Sequence, residues 1–403
     1  MEEVRRLCAV LCTAVFTVAC GTMEMERPPG GGAGGEVPPA PVRKDLYVTG
    51  VEYPEGYDWH VDQDYGYVAC TVFLMKNGER IVEISVDPKD MVAPDADMHR
   101  CYDGHLYTDF SSDTETVIKC DGVELFRYSD REMICSMQVV GDDVYTLGMP
   151  RHGDGWTFRR NGMILNVKTT GYVLTRLGID NGELWFAYVD QIVSGDDVRE
   201  RYYLVRDGVT SPVGANGDVE KIDDILLRDG ILYYTARLKG MPQHIVYIGD
   251  QASSVELGSA DETVGCRIHY DGGSVLYVTG IKRQAAIGDM STLWKNFALD
   301  YNMPVSTTVY GNYIDGDDIS YVFRGKYKGD DYRLIIWDKY SSVDYGEAEL
   351  DYAMLGETCA AAYGGHLCVA LHPVVQGTPP ALIVDREMQV YDFNGYFTSV
   401  SYW

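Results

Sequence analysis

The stretch that decides the fold is residues 133–167, MICSMQVVGDDVYTLGMPRHGDGWTFRRNGMILNV. Four short apolar and aromatic runs are separated by a Gly-Asp-Asp turn, a loop that begins at Pro150, and Asn161-Gly162. An Asn-Gly pair between two such runs is typical of a β-hairpin, because both residues tolerate the positive φ of a tight turn. The stretch therefore predicts a meander of four antiparallel strands, at residues 133–140, 144–149, 156–160 and 163–167.

The second of these strands recurs along the chain. Its marker is an aromatic or apolar residue that usually follows a Leu or Val, and eight copies place it at Tyr47, Tyr107, Tyr145, Trp185, Tyr233, Tyr277, Tyr321 and Cys368. The mean spacing of about 46 residues suits one blade of a β-propeller. We therefore predict an all-β propeller of four-stranded antiparallel blades. Eight blades follow from eight markers, and seven is the alternative if the copy at Tyr107 or Cys368 is not a repeat.

The two ends of the repeat region are complementary. The first unit begins at Asp45 with a second strand, whereas Tyr396–Trp403 at the other end has the pattern of a first strand. Pairing these two segments would close the ring and remove two exposed sheet edges. The sequence therefore predicts that the N- and C-terminal strands share one blade.

The segment before the repeats has the pattern of an export signal. Arg5 and Arg6 precede thirteen uncharged residues, 7–19, which are too few to span a bilayer as a helix. The sequence 17–21, TVACG, resembles the bacterial lipobox, and this resemblance implies a lipid on Cys20. We expect residues 1–20 to be a lipoprotein signal that ends at this cysteine, residues 21–44 to be a flexible Pro/Gly tether, and residues 45–403 to be a single propeller domain.

One resemblance extends over about residues 45–403. The segment 46–50, LYVTG, followed by 74–78, LMKNG, is similar to the repeats of propeller-forming outer-membrane lipoproteins of Gram-negative gut bacteria, and 278–280 with 294–296 repeats the pattern. The resemblance implies a propeller held at the outer membrane, facing either the periplasm or the cell surface. It implies no catalytic residues.

Charge and motif content exclude several classes of function. The chain has 403 residues, with 61 acidic and 34 basic side chains and a formal net charge of −27. This balance argues against nucleic acid as a partner, because nucleic-acid binding depends on Lys and Arg contacts to phosphates. The sequence shows neither a zinc-type Cys/His spacing nor an EF-hand pattern, and we expect no metal and no cofactor. Beyond Cys20 seven cysteines remain, which we expect to be buried thiols with at most one disulfide.

Candidate ligand-binding residues lie in or around the loops between second and third strands, which are expected to gather on one face together with the loops between blades and can vary while the sheets stay fixed. Aromatic rings with polar neighbours suit sugars and protein partners alike. These candidates are Tyr57, Trp59, His60, Arg151, His152, Trp156 and Arg283. The structural alternative is that the rings cover apolar residues of their own loops.

These observations favour a non-catalytic, membrane-anchored propeller that binds a glycan or an envelope protein on its loop face. We expect the propeller to be a monomer, because one chain supplies the whole ring. One alternative is a carbohydrate-active enzyme, either a glycoside hydrolase or a lyase, which would need paired carboxyl groups across a cleft. The other alternative is a structural subunit of an envelope assembly. The sequence shows no catalytic motif.

Overall fold

A computed structural model gives the architecture of the chain. Its contacts divide the chain into residues 1–43 and a second compact unit, Lys44–Trp403. The structure describes residues 44–59, 68–86, 99–111, 114–129, 132–150, 155–194, 197–214, 219–241, 244–249, 251–257, 262–270, 276–284, 288–296, 298–303, 305–315, 318–327, 332–338, 342–344, 352–353 and 359–403. Within these ranges, no helix has the length and apolar character needed to cross a membrane.

The described strands form eight antiparallel sheets, numbered here as blades 1 to 8 along the chain. Blade 1 contains β1 (Leu46–Glu52), β2 (Cys70–Lys76), β3 (Glu79–Val86) and β34 (Gly395–Tyr402). Blade 2 contains β4 (His99–Tyr102), β5 (His105–Ser111), β6 (Thr116–Cys120) and β7 (Val123–Tyr128). Blade 3 contains β8 (Glu132–Val140), β9 (Asp143–Pro150), β10 (Trp156–Arg160) and β11 (Met163–Lys168). Blade 4 contains β12 (Tyr172–Val173), β13 (Gly178–Asp180), β14 (Glu183–Ser194), β15 (Asp197–Arg206) and β16 (Val209–Val213).

The other four blades repeat this order. Blade 5 contains β17 (Val219–Arg228), β18 (Ile231–Leu238), β19 (His244–Ile248) and β20 (Gln251–Glu256). Blade 6 contains β21 (Glu262–Tyr270), β22 (Leu276–Gln284), β23 (Gly288–Lys295) and β24 (Ala298–Met303). Blade 7 contains β25 (Val305–Asp315), β26 (Asp318–Tyr327), β27 (Tyr332–Asp338) and β28 (Ser342–Asp344). Blade 8 contains β29 (Tyr352–Ala353), β30 (Ala360–Tyr363), β31 (His366–Pro373), β32 (Ala381–Val384) and β33 (Glu387–Val390).

The predicted β-propeller of four-stranded antiparallel blades is confirmed. Each of the eight markers lies in the second strand of one sheet, from Tyr47 in β1 to Cys368 in β31. In blades 4 and 8 the first strand consists of two short pieces, which both pair with the second strand. The four strands predicted from residues 133–167 agree with β8 to β11 to within one residue at each end.

The predicted closure of the ring is also confirmed. β34 pairs antiparallel with β1 as the first strand of blade 1, in a register that runs from Leu46 opposite Tyr402 to Glu52 opposite Gly395. Asp45 and Trp403 extend this pairing with two backbone hydrogen bonds, of 2.8 and 3.1 Å. The two ends of the repeat region are therefore neighbours in one sheet.

The turns between third and fourth strands that begin with Asn or Asp have two physical roles. The Asn or Asp adopts a φ of 45–49°, which allows the tight turn between the third and fourth strands. Its side-chain oxygen also accepts a hydrogen bond of 2.8–3.3 Å from the backbone amide of the residue before the marker. This arrangement occurs at Asn77, Asp121, Asn161, Asp207, Asn296 and Asp385. It explains why the turn and the second-strand marker recur together in the sequence.

The apolar cores lie between neighbouring blades. Phe110 of blade 2 packs with Val72 of blade 1, and Phe186 of blade 4 packs with Phe158 of blade 3. Similar clusters join blade 8 to blade 1, blade 2 to blade 3, blade 4 to blade 5 and blade 5 to blade 6. β25 of blade 7 lies next to β23 on one side and next to β30 on the other. Apolar seams thus hold together the blades whose buried side chains the structure describes.

Arg159 and Glu132 form an ion pair that is buried in the ring. Arg159 Nη2 lies 2.7 Å from Glu132 Oε1, and each side chain is only 4% exposed. The guanidinium group also donates a 3.1 Å hydrogen bond to the carbonyl of Gly162, and it lies over the ring of Tyr128 at 4.0 Å from the ring centroid. The guanidinium charge therefore has several partners, and the carboxylate charge of Glu132 is compensated by Arg159.

The seven cysteines of the propeller unit are all free thiols: Cys70, Cys101, Cys120, Cys135, Cys266, Cys359 and Cys368. Five of them are buried, and Cys120 and Cys135 are partly buried. Desolvation raises the pKa of the Cys101 thiol to about 11 and that of Cys70 to about 12. These two thiols are therefore protonated at neutral pH and behave as small apolar side chains.

Candidate functional site

The loops between second and third strands project from one end of the ring, which we call the loop face. The longest of them follows β1 and begins with Tyr53. Because β34 runs antiparallel to β1, its first residue, Gly395, lies at the loop face, and Trp403 lies at the opposite end. The start of the β1–β2 loop is therefore next to the point where the ring closes.

Asn394 holds this loop in place. Its side-chain amide donates hydrogen bonds to the carbonyl of Pro54 at 2.7 Å and to the carbonyl of Tyr57 at 2.9 Å. Its own carbonyl accepts a 2.7 Å hydrogen bond from the amide of Tyr53. The turn itself is closed by a 3.2 Å hydrogen bond from Tyr57 N to Pro54 O, and Gly56 has a φ of +79°. The loop is thus tied to the strand that closes the ring.

Five rings form an aromatic cluster on this loop and beneath it: Tyr53, Tyr57, Trp59, His372 and Tyr396. Tyr53 and Trp59 are nearly parallel, with an interplanar angle of 19° and centroids 6.3 Å apart. Trp59 contacts His372 edge-on at 4.8 Å and Tyr396 at 4.9 Å. Tyr396 is fully buried, while the other four rings are half-buried. The cluster therefore extends from Tyr396 in the core to partly exposed rings at the protein surface.

The structure brings together two of the predicted site residues, Tyr57 and Trp59, which both contact Tyr53. Cys20, His60, Arg151 and His152 lie outside the described residues. Arg283 is in β22, where its backbone pairs with Asp289. The alternative that the rings cover apolar residues of their own loop applies in part, because Trp59 packs on the core between blades 1 and 2.

Trp156, which the sequence analysis predicts as a ligand-binding residue, is buried in the structure. Trp156 is the first residue of β10 and is only 1% exposed. Its ring packs against Phe186 at 4.9 Å and Tyr188 at 5.0 Å, in the core between blades 3 and 4. A ring enclosed in this way cannot stack on a ligand, so its role is packing.

Sequence reasoning missed Tyr53, His372 and Asn394. His372 is near the end of a second strand, so its side chain reaches the loop face from blade 8. The pairing of Tyr396–Trp403 with the first strand, which the sequence predicts, brings residue 394 close to residue 53. Extending this predicted pairing by a few residues would have identified Asn394.

Two groups of side chains have the composition of a metal site, and in each group the candidate ligand atoms lie within 4.8 Å of one another. The exposed group is His105, Cys120 and Asp121. Its His–Asp contact, 2.7 Å from Nδ1 to Oδ2, has a counterpart of 2.8 Å between His366 and Asp385 at the equivalent turn of blade 8. This group therefore belongs to the repeated turn.

The second group is Asp223, His244 and Cys266, and it is buried. His244 Nε2 lies 2.9 Å from Asp223 Oδ2, and Lys221 Nζ lies 3.1 Å from Asp223 Oδ1. Burial by itself raises the pKa of the Asp223 carboxyl. The contacts with His244, Lys221 and the backbone amide of Cys266 outweigh burial and hold this pKa below its usual range. Asp223 is therefore an anion inside the protein.

An apolar strip runs along the rim of blade 3. In the fourth strand, β11, Met163 is 67% exposed, Ile164 53%, Leu165 49% and Val167 55%. The neighbouring outer strands add Val123 and Val209, at 67% and 71%. Among the described strands, β11 pairs only with β10, so its second edge faces outward. Natural sheets usually protect such an edge with charges or proline.

Neither a protein-family model nor a curated protein sequence matches the chain. Among solved structures, dihydro-heme d1 dehydrogenase NirN in complex with DHE has a TM-score of 0.51 at 10% identity, over 90% of this chain and 75% of that chain. The β-propeller domain of the Trilobed protease from Pyrococcus furiosus has a TM-score of 0.43 at 10% identity, over 74% of this chain and 93% of that domain.

A puromycin-hydrolyzing peptidase of Mycobacterium tuberculosis is a further similar structure. Its TM-score is 0.48 at 10% identity, over 73% of this chain. The chain spans about half of that peptidase, 52% of its length. Similarity at these identities concerns the fold and carries no activity to this chain. By fold, the chain is a β-propeller.

Proposed function

We propose that the protein is a non-catalytic, membrane-anchored propeller that binds a glycan on its loop face, with a protein partner as the alternative ligand. The observation that carries this proposal is the aromatic cluster of Tyr53, Tyr57 and Trp59. Its half-buried rings combine a flat apolar face with polar edges, which suits the apolar faces and the hydroxyl groups of a sugar ring.

The cluster is also pre-organised. Asn394 fixes the backbone on both sides of the turn, and Trp59 rests on the fully buried ring of Tyr396. A binding surface whose rings are already ordered loses less conformational entropy when a ligand binds. This rigidity favours a recognition surface over a disordered loop.

The proposed anchor suits this arrangement. The propeller unit begins at Lys44, next to Asp45, which pairs with Trp403 at the end opposite the loop face. A tether to a lipid on Cys20 would therefore enter the ring at that end. The loop face would be left accessible to ligands away from the attachment point. We propose the outer membrane of a Gram-negative bacterium as the location, because Cys20 follows a short apolar run and precedes a Gly.

Trp59→Ala should weaken glycan binding at least about fivefold, the effect of losing roughly 1 kcal/mol at a binding hot spot. The fold should persist, because the ring is only half-buried. Binding of the full chain, in detergent, to a glycan array and to the best glycan in titration measures this effect. Trp403→Ala is the matched control: this tryptophan is 46% exposed at the opposite end and should leave affinity unchanged.

Equal affinity of the Trp59→Ala and wild-type proteins for the best glycan would contradict the proposed site. Binding to no glycan, together with capture of an envelope protein by wild type but not by Trp59→Ala, would select the protein partner. A large fall in melting temperature for Trp59→Ala would instead show that the ring serves mainly to pack the core.

Cys20→Ser should release the folded protein from the membrane fraction, because no thioether to a lipid can form. Fractionation of cells that express wild type, Cys20→Ser and Cys12→Ser measures this. Cys12 lies within the apolar run of the signal, so Cys12→Ser should stay with the membrane. Membrane retention of Cys20→Ser would contradict lipid anchoring at this residue.

The apolar rim of blade 3 favours a second candidate function, that of a subunit in an envelope assembly. The outward edge of β11 can accept an extended partner strand by β-augmentation, with Met163, Ile164 and Leu165 supplying apolar contacts. In the capture experiment above, loss of the partner with Ile164→Lys but not with Trp59→Ala would select this function over binding at the loop face.

A further inference from the structure

Two neighbouring first strands, β17 and β21, are bulged at the same height in the ring. The register of β17 shifts between Ile222 and Asp224, which leaves Asp223 out of the ladder. The register of β21 shifts between Val264 and Arg267, at Gly265 and Cys266. Both bulges end opposite the residue two positions after the marker, Thr235 in β18 and Thr279 in β22. A bulge at the same position of β8 in blade 3 shows that this backbone shape belongs to the repeat, so the side chains that meet there set blades 5 and 6 apart.

The two bulges and the start of β19 meet at the seam between blades 5 and 6. Asp223 comes from the first bulge, Cys266 from the second, and His244 is the first residue of β19, immediately after the loop that leads from β18. The side chains of Asp223 and His244 are 6% and 1% exposed, and Cys266 is fully buried. One oxygen, one nitrogen and one sulfur atom therefore meet in an enclosed site.

The backbone of Cys266 is fixed on both sides. Its amide donates a 3.1 Å hydrogen bond to Asp223 Oδ2, and its carbonyl accepts a 3.1 Å hydrogen bond from Thr235 Oγ1. The thiol is thus held at the seam by contacts that do not involve its sulfur. Such positioning of a ligand by its surroundings is a common feature of metal sites.

Joining the two blades does not by itself require this set of side chains. The adjacent Asp224 accepts a 2.8 Å hydrogen bond from the amide of Ile268 in β21, and among the described residues it belongs to no group of three metal-ligating side chains. Thr49 makes an equivalent link between blades 1 and 2, with a 3.0 Å hydrogen bond to the carbonyl of His99. A hydrogen bond between two blades therefore requires neither the imidazole of His244 nor the thiol of Cys266 beside Asp223.

We propose that Asp223, His244 and Cys266 form a binding site for one zinc ion that joins blade 5 to blade 6. Zinc accepts oxygen, nitrogen and sulfur ligands at about 2.0–2.3 Å in a tetrahedral shell, so its ligand atoms lie roughly 3.3–3.8 Å apart. The three atoms lie within 4.8 Å of one another, so shifts of about 1 Å bring them into this shell. A water molecule takes the fourth position.

Charge supports zinc in this enclosed site. A carboxylate, a thiolate and a neutral imidazole together carry two negative charges, which balance a divalent cation in an environment where net charge is costly. On binding, the thiol of Cys266 transfers its proton to solvent and a zinc–sulfur bond forms. The mixed donor set excludes magnesium and calcium, which require oxygen ligands.

Lys221 provides a sensitive test of the site. Its ammonium group lies 3.1 Å from Asp223 Oδ1, while the lysine side chain is 54% exposed. This positive charge competes with a cation for the same carboxylate. Lys221→Ala should therefore strengthen zinc binding. If the carboxylate of Asp223 has only a structural role, the protein has no zinc affinity for this substitution to increase.

The full chain should bind zinc with an affinity that depends on this cluster. His244→Gln and Cys266→Ser should each weaken zinc binding by at least roughly 10–100-fold. Loss of a residue that only supports a metal ligand has an effect of this size, and loss of a ligand itself should have a larger one. Bound zinc is measured by elemental analysis after dialysis and by competition with a chromophoric chelator. Cobalt substitution adds a thiolate-to-cobalt charge-transfer band, which should be present in wild type and absent in Cys266→Ser.

Cys135→Ser is the matched control, because Cys135 occupies the corresponding bulge of β8 in blade 3, opposite the same position of the repeat. It should keep both the zinc affinity and the cobalt band. Wild-type protein that retains no zinc, or Cys266→Ser that retains the same band as wild type, would overturn the proposal. Weaker zinc binding in Lys221→Ala would overturn it as well, and this surface variant does not disturb the core.

Discussion

Deletion of residues 396–403 should abolish cooperative folding of the propeller. The deletion removes all of β34 except Gly395, and with it six of the seven register pairs with β1, from Leu46 to Val51. It also removes the buried side chains of Tyr396, Phe397 and Val400. At about 1.5–3 kcal/mol for each large apolar side chain, this loss approaches the 5–15 kcal/mol that typically separates folded from unfolded proteins.

Thermal unfolding followed by far-ultraviolet circular dichroism and by tryptophan fluorescence measures this effect. Removal of Trp403 alone is the control, because that side chain is 46% exposed and lies beyond the last residue of β34. This shorter truncation should melt close to wild type. A protein that lacks residues 396–403 and yet melts at the wild-type temperature would show that the ring does not depend on its closing strand.

Arg159→Met should destabilise the protein by about 3–5 kcal/mol, the cost of leaving a buried charge without its partner. The substitution leaves the carboxylate of Glu132 only 4% exposed, and it also removes the hydrogen bond to Gly162 and the cation–π contact with Tyr128. Chemical denaturation at neutral pH measures the change in the free energy of unfolding.

Arg160→Met is the matched control for this prediction. Arg160 is the next residue in β10 and pairs with Asp143, but its side chain is 47% exposed. An exposed ion pair contributes little to stability, so this variant should unfold near the wild-type midpoint. The double variant Glu132→Leu/Arg159→Met should recover part of the loss, since no unpaired charge stays buried. Equal stability of Arg159→Met and Arg160→Met would contradict the assigned role.

The sequence predicts the fold well because the repeat is local. Asn161-Gly162 and its counterparts need a positive φ, and their side chains bind the amide beside the marker, so turn and marker recur together. The complementary ends, Asp45 and Tyr396–Trp403, likewise identify the closing pair. The turn and its marker belong to one blade, and the two ends pair in one sheet. Both patterns can therefore be recognised in the sequence.

The sites depend on contacts that local patterns do not show. Trp156 adjoins a loop between second and third strands, yet its ring is enclosed between blades 3 and 4, where it packs on Phe186 and Tyr188. Asp223 and Cys266 belong to different blades and meet where bulges in two first strands coincide. A bulge changes which face a side chain takes, and a propensity pattern does not reveal it.

The pairing of β34 with β1 also has a consequence for biogenesis. Among the described strands, β34 follows all the others in the chain, although its partner β1 precedes them. Until β34 has been synthesised, the earlier blades form an arc with an open edge that can pair with other chains. A chain with this architecture is therefore exposed to association with other chains until its closing strand is available.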